Sequence, residues 1–116
     1  MLTLMRSASG VLNPSLFEGW STTVEEAKLL GKRLILSDIP VHREQDPAAA
    51  LYLDPRDPAA WAEAMRATLA DEDAPAEEVR AARAAASHVQ EVARFAQRFW
   101  EIADTVRRDH DCGTAT

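Results

Sequence analysis

Two glutamates, Glu18 and Glu26, flank a polar bend in the segment Pro14-Ser15-Leu16-Phe17-Glu18-Gly19-Trp20-Ser21-Thr22-Thr23-Val24-Glu25-Glu26-Ala27. A short apolar run precedes the bend and a helical pattern beginning near Thr22 follows it. In open α/β sheets, the step from a strand's carboxyl end to a helix start is where ligands bind. A helix start offers unpaired N–H groups and the positive end of the macrodipole, so an anion can bind there without a lysine. Thr22 and Glu25 have the capping-box spacing, with Thr22 as N-cap and Glu25 at N3, which makes Glu25 mainly structural. Glu26 lies about 100° further round the helix. It reads either as a charge complementing the dipole or as an acceptor for hydroxyls bound at the helix end, and spacing alone favours the first. Glu18 reads equally well as a solvated loop carboxylate or as a functional one. Gly19 beside it suggests a close backbone approach or a positive φ. Trp20 either covers apolar surface or walls a pocket.

The elements that must position these residues follow in order. Leu2 to Ala8 reads as a helix end, broken by Ser9-Gly10, and Val11-Leu12 as a short buried strand stopped by Asn13-Pro14. The helix from Thr22 runs through Leu30 to Gly31, a natural left-handed terminator. Leu34-Ile35-Leu36 is a second strand, Val41 to Gln45 a helical turn, and Leu51-Tyr52-Leu53 a third strand. Asp57 caps a helix with Pro58 at its first position, carrying Trp61, Ala64, Met65 and Leu69 on one side. After the acidic connector Asp71 to Pro75, a helical pattern runs from Ala76 to about Arg108, with a break expected near Ser87-His88. Its stripe is Val89, Ala93, Ala96, Phe99, Ala103 and Val106, with Trp100 beside it. Residues 109–116 read as a disordered tail. Short apolar strands alternating with helices imply an α/β fold. The expected architecture is a partial Rossmann-like parallel sheet of about three strands, flanking helices and a long C-terminal helix, with an unprotected edge.

The chain's 116 residues are the size of one domain. Its formal charge of -6 is uneven: residues 46–74 hold two basic and seven acidic side chains, while 1–45 balance at five each. No basic stripe exists to favour nucleic acid. Any anionic ligand must be held locally. A single cysteine, Cys112, excludes an internal disulfide and fits a reducing compartment. No apolar run approaches the roughly 20 residues of a membrane span, and Met1 to Arg6 lacks a signal-peptide pattern. The expected address is cytoplasmic.

The segment from Glu18 to Ala27 resembles the E-x7-E motif of retaining GT-B glycosyltransferases of family 4. Pro14-Ser15, Glu18-Gly19 and Glu26-Ala27 match that pattern. Gly31-Lys32-Arg33-Leu34-Ile35-Leu36-Ser37-Asp38-Ile39-Pro40 is similar to the family's next glycine turn and strand, and Asp54-Pro55 with Asp57 to Trp61 to the following strand-to-helix step. The likeness covers about residues 2–105. It implies that residues 1–108 are part of a C-terminal nucleotide-sugar-binding domain. The partner would be a nucleotide-diphosphate sugar, its sugar passing to a glycan or lipid-linked acceptor, as in polysaccharide biosynthesis. Glu18 would be the catalytic position, contacting hydroxyls of the donor sugar, and Glu26 would bind the ribose hydroxyls. Main-chain N–H groups from Gly19 and Trp20 through Ser21, Thr22 and Thr23, with a hydroxyl of Ser21 or Thr22, would hold the diphosphate. Such enzymes work without a bound metal or other cofactor, and no Asp-x-Asp signature is present. Trp20 replaces the family's usual Phe, and Ser21-Thr22-Thr23 its Gly-Leu-Pro, which puts the donor identity in question.

The resemblance also implies that the acceptor-binding N-terminal lobe lies outside this sequence, together with the Arg and Lys that neutralise the diphosphate. The isolated chain is then expected not to turn over. A rival reading is a non-catalytic interaction module or oligomerising remnant, whose partner would be a missing lobe or a second copy. His42-Arg43-Glu44 reads as a solvated turn that could face the cleft, and His88 as a surface or satisfied histidine. His110-Asp111-Cys112 matches no zinc spacing. Trp61, Phe95, Phe99 and Trp100 are most simply core, although in the resembled family the last helix returns to the other lobe and leaves some of that surface bare.

Overall fold

A computed structural model of the chain describes residues 2–48, 50–71 and 76–113, the last three without their side chains. It is an α/β protein with a three-stranded parallel sheet and a long C-terminal helix. The elements are α1 (Leu2–Ser7), β1 (Val11–Asn13), α2 (Thr22–Leu29), β2 (Leu34–Ser37), α3 (Pro40–Gln45), β3 (Ala50–Leu53), α4 (Pro58–Ala70) and α5 (Glu77–Gly113). The strands lie in the order β1-β2-β3. Val11 pairs with Leu34, and Leu34 with Ala50.

Strand alternation divides the core between two faces of the sheet. Leu34 and Leu36 pack with Met5, Val24 and Ala27 on one face, and Ile35 packs with Trp61 and Ala64 of α4 on the other. All four residues of β2 are buried, as expected of a central parallel strand. Each fully buried leucine contributes about 1.5–3 kcal/mol.

Local chemistry sets the helix ends. At the C-terminus of α2, Gly31 takes a positive φ of 64°. Gly31 N–H then bonds the Lys28 carbonyl at 3.1 Å and Lys32 N–H the Ala27 carbonyl at 3.0 Å, a Schellman closure. A side chain at Gly31 would meet backbone atoms of Arg80 at 2.6 Å, so glycine is also required sterically. The next residue, Lys32, is only 2% exposed. Its ammonium donates to the carbonyls of Arg6 at 2.5 Å and Ala8 at 3.1 Å and pairs with Glu77, tying α1 and the start of α5 to the end of α2. For α4, the Asp57 carboxylate accepts from Ala60 N–H at 3.0 Å, and Trp61 Nε1 donates to the Asp54 carbonyl at 2.9 Å.

Three sequence expectations are corrected. The N-cap of α2 is Ser21, not Thr22, because the buried Ser21 hydroxyl is turned back onto Val24 N–H at 3.4 Å. Glu25 therefore sits one position beyond N3 and accepts instead from Gln45 Nε2 at 2.9 Å. Helix α5 runs through Ser87-His88 without a break; neither residue is a glycine or proline, and propensity alone costs too little to interrupt it. It also continues to Gly113, so 109–113 are helical and 114–116 lie outside the described residues. In the connector, Glu72 to Pro75 likewise lie outside them.

The chain divides after Ala85 into two compact units. In the second, the expected core aromatics are exposed: Phe95 by 71%, Phe99 by 61% and Trp100 by 72%. The rings of Phe95 and Phe99 stack at 6.4 Å. Trp61 alone of the four aromatics read as core is buried.

Candidate functional site

The bend between β1 and α2 is organised by Asn13, the last residue of β1. Parallel pairing and the Ser37 hydroxyl, which donates to the Asn13 carbonyl at 3.3 Å, fix its backbone. Its buried side chain donates through Nδ2 to Glu18 Oε1 at 2.8 Å and to Ser21 Oγ at 3.0 Å. The Ser15 hydroxyl lies 2.6 Å from Glu18 Oε1 and 2.7 Å from Asn13 Oδ1, so its single proton serves one acceptor at a time. Glu18 is thus held from both sides of the bend, and its side chain remains 21% exposed.

The other Glu18 oxygen faces inward. Oε2 lies 3.7 Å from Nε2 of His42, which is completely buried on α3. His42 Nδ1 sits 2.9 Å from the Ser37 carbonyl. A carbonyl can only accept, so Nδ1 carries a proton and Nε2 is the ring atom aimed at Glu18. Burial pushes the Glu18 carboxyl up, but hydrogen bonds from Ser15, Ser21 and Asn13, with the charge of His42, outweigh it and bring the group below its ordinary value. Glu18 is therefore an anion, and an acceptor, near neutral pH.

Helix α2 starts immediately beside this cluster. Ser21 occupies Val24 N–H, and the first intrahelical bond is from Glu25 N–H to the Ser21 carbonyl at 3.2 Å. The N–H groups of Thr22 and Thr23 lie before that bond, where a helix supplies no acceptor. Thr22 is exposed and Thr23 half-buried. Glu26, one turn on, has a buried Oε2 that finds no donor among the described residues.

Of the residues expected to act, the structure gathers Glu18 and Ser21 into one hydrogen-bonded cluster and puts Thr22 and Thr23 at the adjoining helix start. Two roles change. The Ser21 hydroxyl accepts from Val24 N–H and Asn13 Nδ2, and its own proton goes to Glu18, so it is not free for a phosphate. Gly19 has neither a positive φ nor a neighbour within 4 Å of where a Cβ would stand, so the bend itself does not demand glycine there. Trp20 is 55% exposed and covers no core. His42 is buried rather than solvated, while its neighbour Arg43 is exposed. Arg43 grips Asp38 at 2.7 and 2.9 Å and lies 4.0 Å over the Tyr52 ring.

Asn13, Ser15 and Gln45 were given no part in the site by the sequence, and His42 only a place in a solvated turn that could face the cleft. Asn13 was hidden by its role as a strand stop before Pro14. Gln45 is 3% exposed and donates both to Glu25 and to the Ser21 carbonyl at 2.9 Å, which ties α3 to the start of α2. The loops that leave the carboxyl ends of the three strands also enclose an open groove of about 370 Å³, lined by Leu16, Asp38, Ile39, Asp54, Pro55 and Arg56.

Among the described residues, no group of three His, Cys, Asp or Glu could hold a metal ion, and no helix is long and apolar enough to cross a membrane. Asp111 and Cys112 lie outside the described side chains. No family model, curated protein or solved structure matches this chain.

Proposed function

We propose that this chain is the donor-binding part of a retaining GT-B glycosyltransferase, with a partial Rossmann-like sheet, acting on a nucleotide-diphosphate sugar. The observation that carries the reading is the pairing of an anchored, ionised Glu18 with the open helix start at Thr22 and Thr23. The two N–H groups and the helix dipole suit a diphosphate. Glu18, an acceptor with bonding capacity left over, suits hydroxyls of the donor sugar. Glu26, half-buried one turn into α2, is the residue we assign to the ribose hydroxyls, although its Oε2 is itself enclosed by the protein. Gly19 leaves the backbone of the bend uncovered by any side chain of its own. Because Ser21 is spent on the cap, the diphosphate contact narrows to main-chain groups and the Thr22 hydroxyl. Transfer needs charge stabilisation and acceptor positioning beyond these groups, so the isolated chain is expected to bind without turning over.

The test is a heteronuclear NMR titration with uridine, guanosine and adenosine diphosphates and their sugar conjugates. Perturbation is expected at the amides of Trp20 to Thr23. A folded chain whose amides there stay unmoved at millimolar ligand refutes the reading.

The exposed apolar stripe of α5, including Val92, Phe95, Phe99, Trp100 and Val106, favours a second reading, a non-catalytic interaction module. Sedimentation over a concentration series separates this from the first for self-association. A monomer at high concentration removes it.

A further inference from the structure

A fully buried histidine with one ring nitrogen satisfied and the other unpartnered is an unusual expense in a small protein. His42 is such a residue. Its Nδ1 is committed to the Ser37 carbonyl at 2.9 Å, and its Nε2, shut off from solvent, has no hydrogen-bond partner. The nearest acidic atom to that nitrogen is Glu18 Oε2 at 3.7 Å, beyond a hydrogen bond but within direct electrostatic reach. The contact is long-range in sequence, joining α3 to the β1–α2 bend. It approaches Glu18 from the side opposite Asn13 and Ser15, which serve Oε1.

A carboxylate offers about four acceptor positions. Asn13 occupies one of those on Oε1, and Ser15 occupies a second when its proton is turned to Glu18. A proton on His42 Nε2 would attract Oε2 electrostatically across 3.7 Å and leave the acceptor positions of that oxygen unfilled. We propose that His42 is a positioning residue for Glu18: it fixes the inner oxygen from within the core, so that the outer acceptor position meets a ligand hydroxyl in one orientation. This rests on the reading of Glu18 as the acceptor for a donor-sugar hydroxyl. His42 touches no ligand itself, since Nε2 is sealed from solvent.

The groups around the pair are few. From the β1–α2 bend comes Glu18. From β3, Tyr52 donates its hydroxyl to the His42 carbonyl at 3.3 Å. From α2, Glu25 and Lys28 reach Gln45, one turn along α3 from His42, at 2.9 and 3.2 Å. Of these, Glu18 is the group that faces Nε2, at 3.7 Å.

The deciding experiment needs no ligand. The Glu18 carboxyl carbon is followed by NMR against pH in the full chain and in His42→Gln, which can still donate to Ser37 but cannot carry charge. The titration midpoint is expected to rise in the variant, because the charge that helps depress it is gone. An unchanged midpoint overturns the proposal. Should His42→Gln fail to fold, Glu18→Gln is read through the His42 ring nitrogens. Nε2 is expected to shift more than Nδ1, which stays bound to Ser37; a motionless Nε2 overturns the proposal equally. A binding arm uses uridine diphosphate glucose and guanosine diphosphate mannose with wild type, the two single variants and the double variant. His42→Gln should weaken binding about five-fold in the wild-type background and not at all in Glu18→Gln, the non-additivity of residues that act through one another. Equal weakening in both backgrounds overturns the positioning role. Absence of binding by wild type removes the donor-site reading alone, and the titration still decides what His42 does to Glu18.

Discussion

Replacing Asn13 by alanine tests the organisation of the bend most directly. The side chain donates to Glu18 Oε1 at 2.8 Å and to Ser21 Oγ at 3.0 Å, and its Oδ1, 2.7 Å from Ser15 Oγ, shares the Ser15 proton with Glu18. A bond to a charged group contributes about 1.5–3 kcal/mol and a neutral one about 0.5–1.5. Water can partly replace Asn13 at Glu18, whose side chain is 21% exposed, and Ser15 stays in place beside Oε1. The expected cost at pH 7 is therefore about 2–4 kcal/mol, below the simple sum. The loss must also depend on pH. The Glu18 carboxyl titrates below its ordinary value in the folded protein, so its contribution is present above the unfolded value of 4.5 and fades as pH falls through the lower folded one. Without Asn13, one cause of that depression is gone and the variant has less to lose in acid. The stability gap between wild type and variant should shrink as pH falls. Urea titrations read on the methyl resonances of Leu34 and Leu36 report this for the first unit alone. A gap under about 0.5 kcal/mol, or one that stays constant into acid, would refute the reasoning.

Lys32→Met should cost about 1–3 kcal/mol, since the carbonyls of Arg6 and Ala8 lose the donor that the buried ammonium supplies, and the Glu77 carboxyl, held low by hydrogen bonding and charge from Lys32, should titrate higher by NMR. Gly31→Ala combines a left-handed backbone with a 2.6 Å approach to Arg80, so a loss above about 2 kcal/mol is expected in the same urea assay; a neutral result would mean that the approach of α5 at Arg80 yields freely. Phe99→Ser and Trp100→Ser, both on exposed positions, should leave the first unit's stability within about 0.5 kcal/mol. A loss the size of a core truncation at either position would show that the stripe is covered after all.

The order of elements was legible because each has a local cause visible in residue types. Gly31 ends α2, Asp57-Pro58 starts α4, and the apolar run Leu34 to Leu36 forms a fully buried strand. What could not be read depends on contacts between distant segments. Ser21 rather than Thr22 caps α2 because its hydroxyl meets Asn13 from eight residues back. His42 looks like a surface residue in the run Val41-His42-Arg43-Glu44. Its burial follows from the turn of α3 onto Ser37 and the bend. Lys32 next to Arg33 reads as a charged loop, yet its ammonium is enclosed by two carbonyls and Glu77. The aromatics of α5 failed in the opposite direction. Periodicity identifies an apolar face but not whether anything lies against it.

The two glutamates singled out by their spacing end in different electrostatic situations, and the difference bears on what each could do. Glu18 is hydrogen-bonded on one oxygen, faces an imidazole on the other and is held in its charged form. A carboxyl depressed in this way is a poor general acid at neutral pH, because it holds no proton to give. It can accept hydroxyl protons in hydrogen bonds and oppose positive charge that develops nearby. Glu26 lies one turn into α2, with one oxygen buried and undonated, an arrangement that costs free energy until a donor arrives. Glu18 is not arranged as the proton-donating half of an acid–base pair. In the proposed reading it accepts hydroxyls beside the helix start at Thr22 and Thr23. On the proposed reading, a proton-donating group must therefore be sought elsewhere than at Glu18.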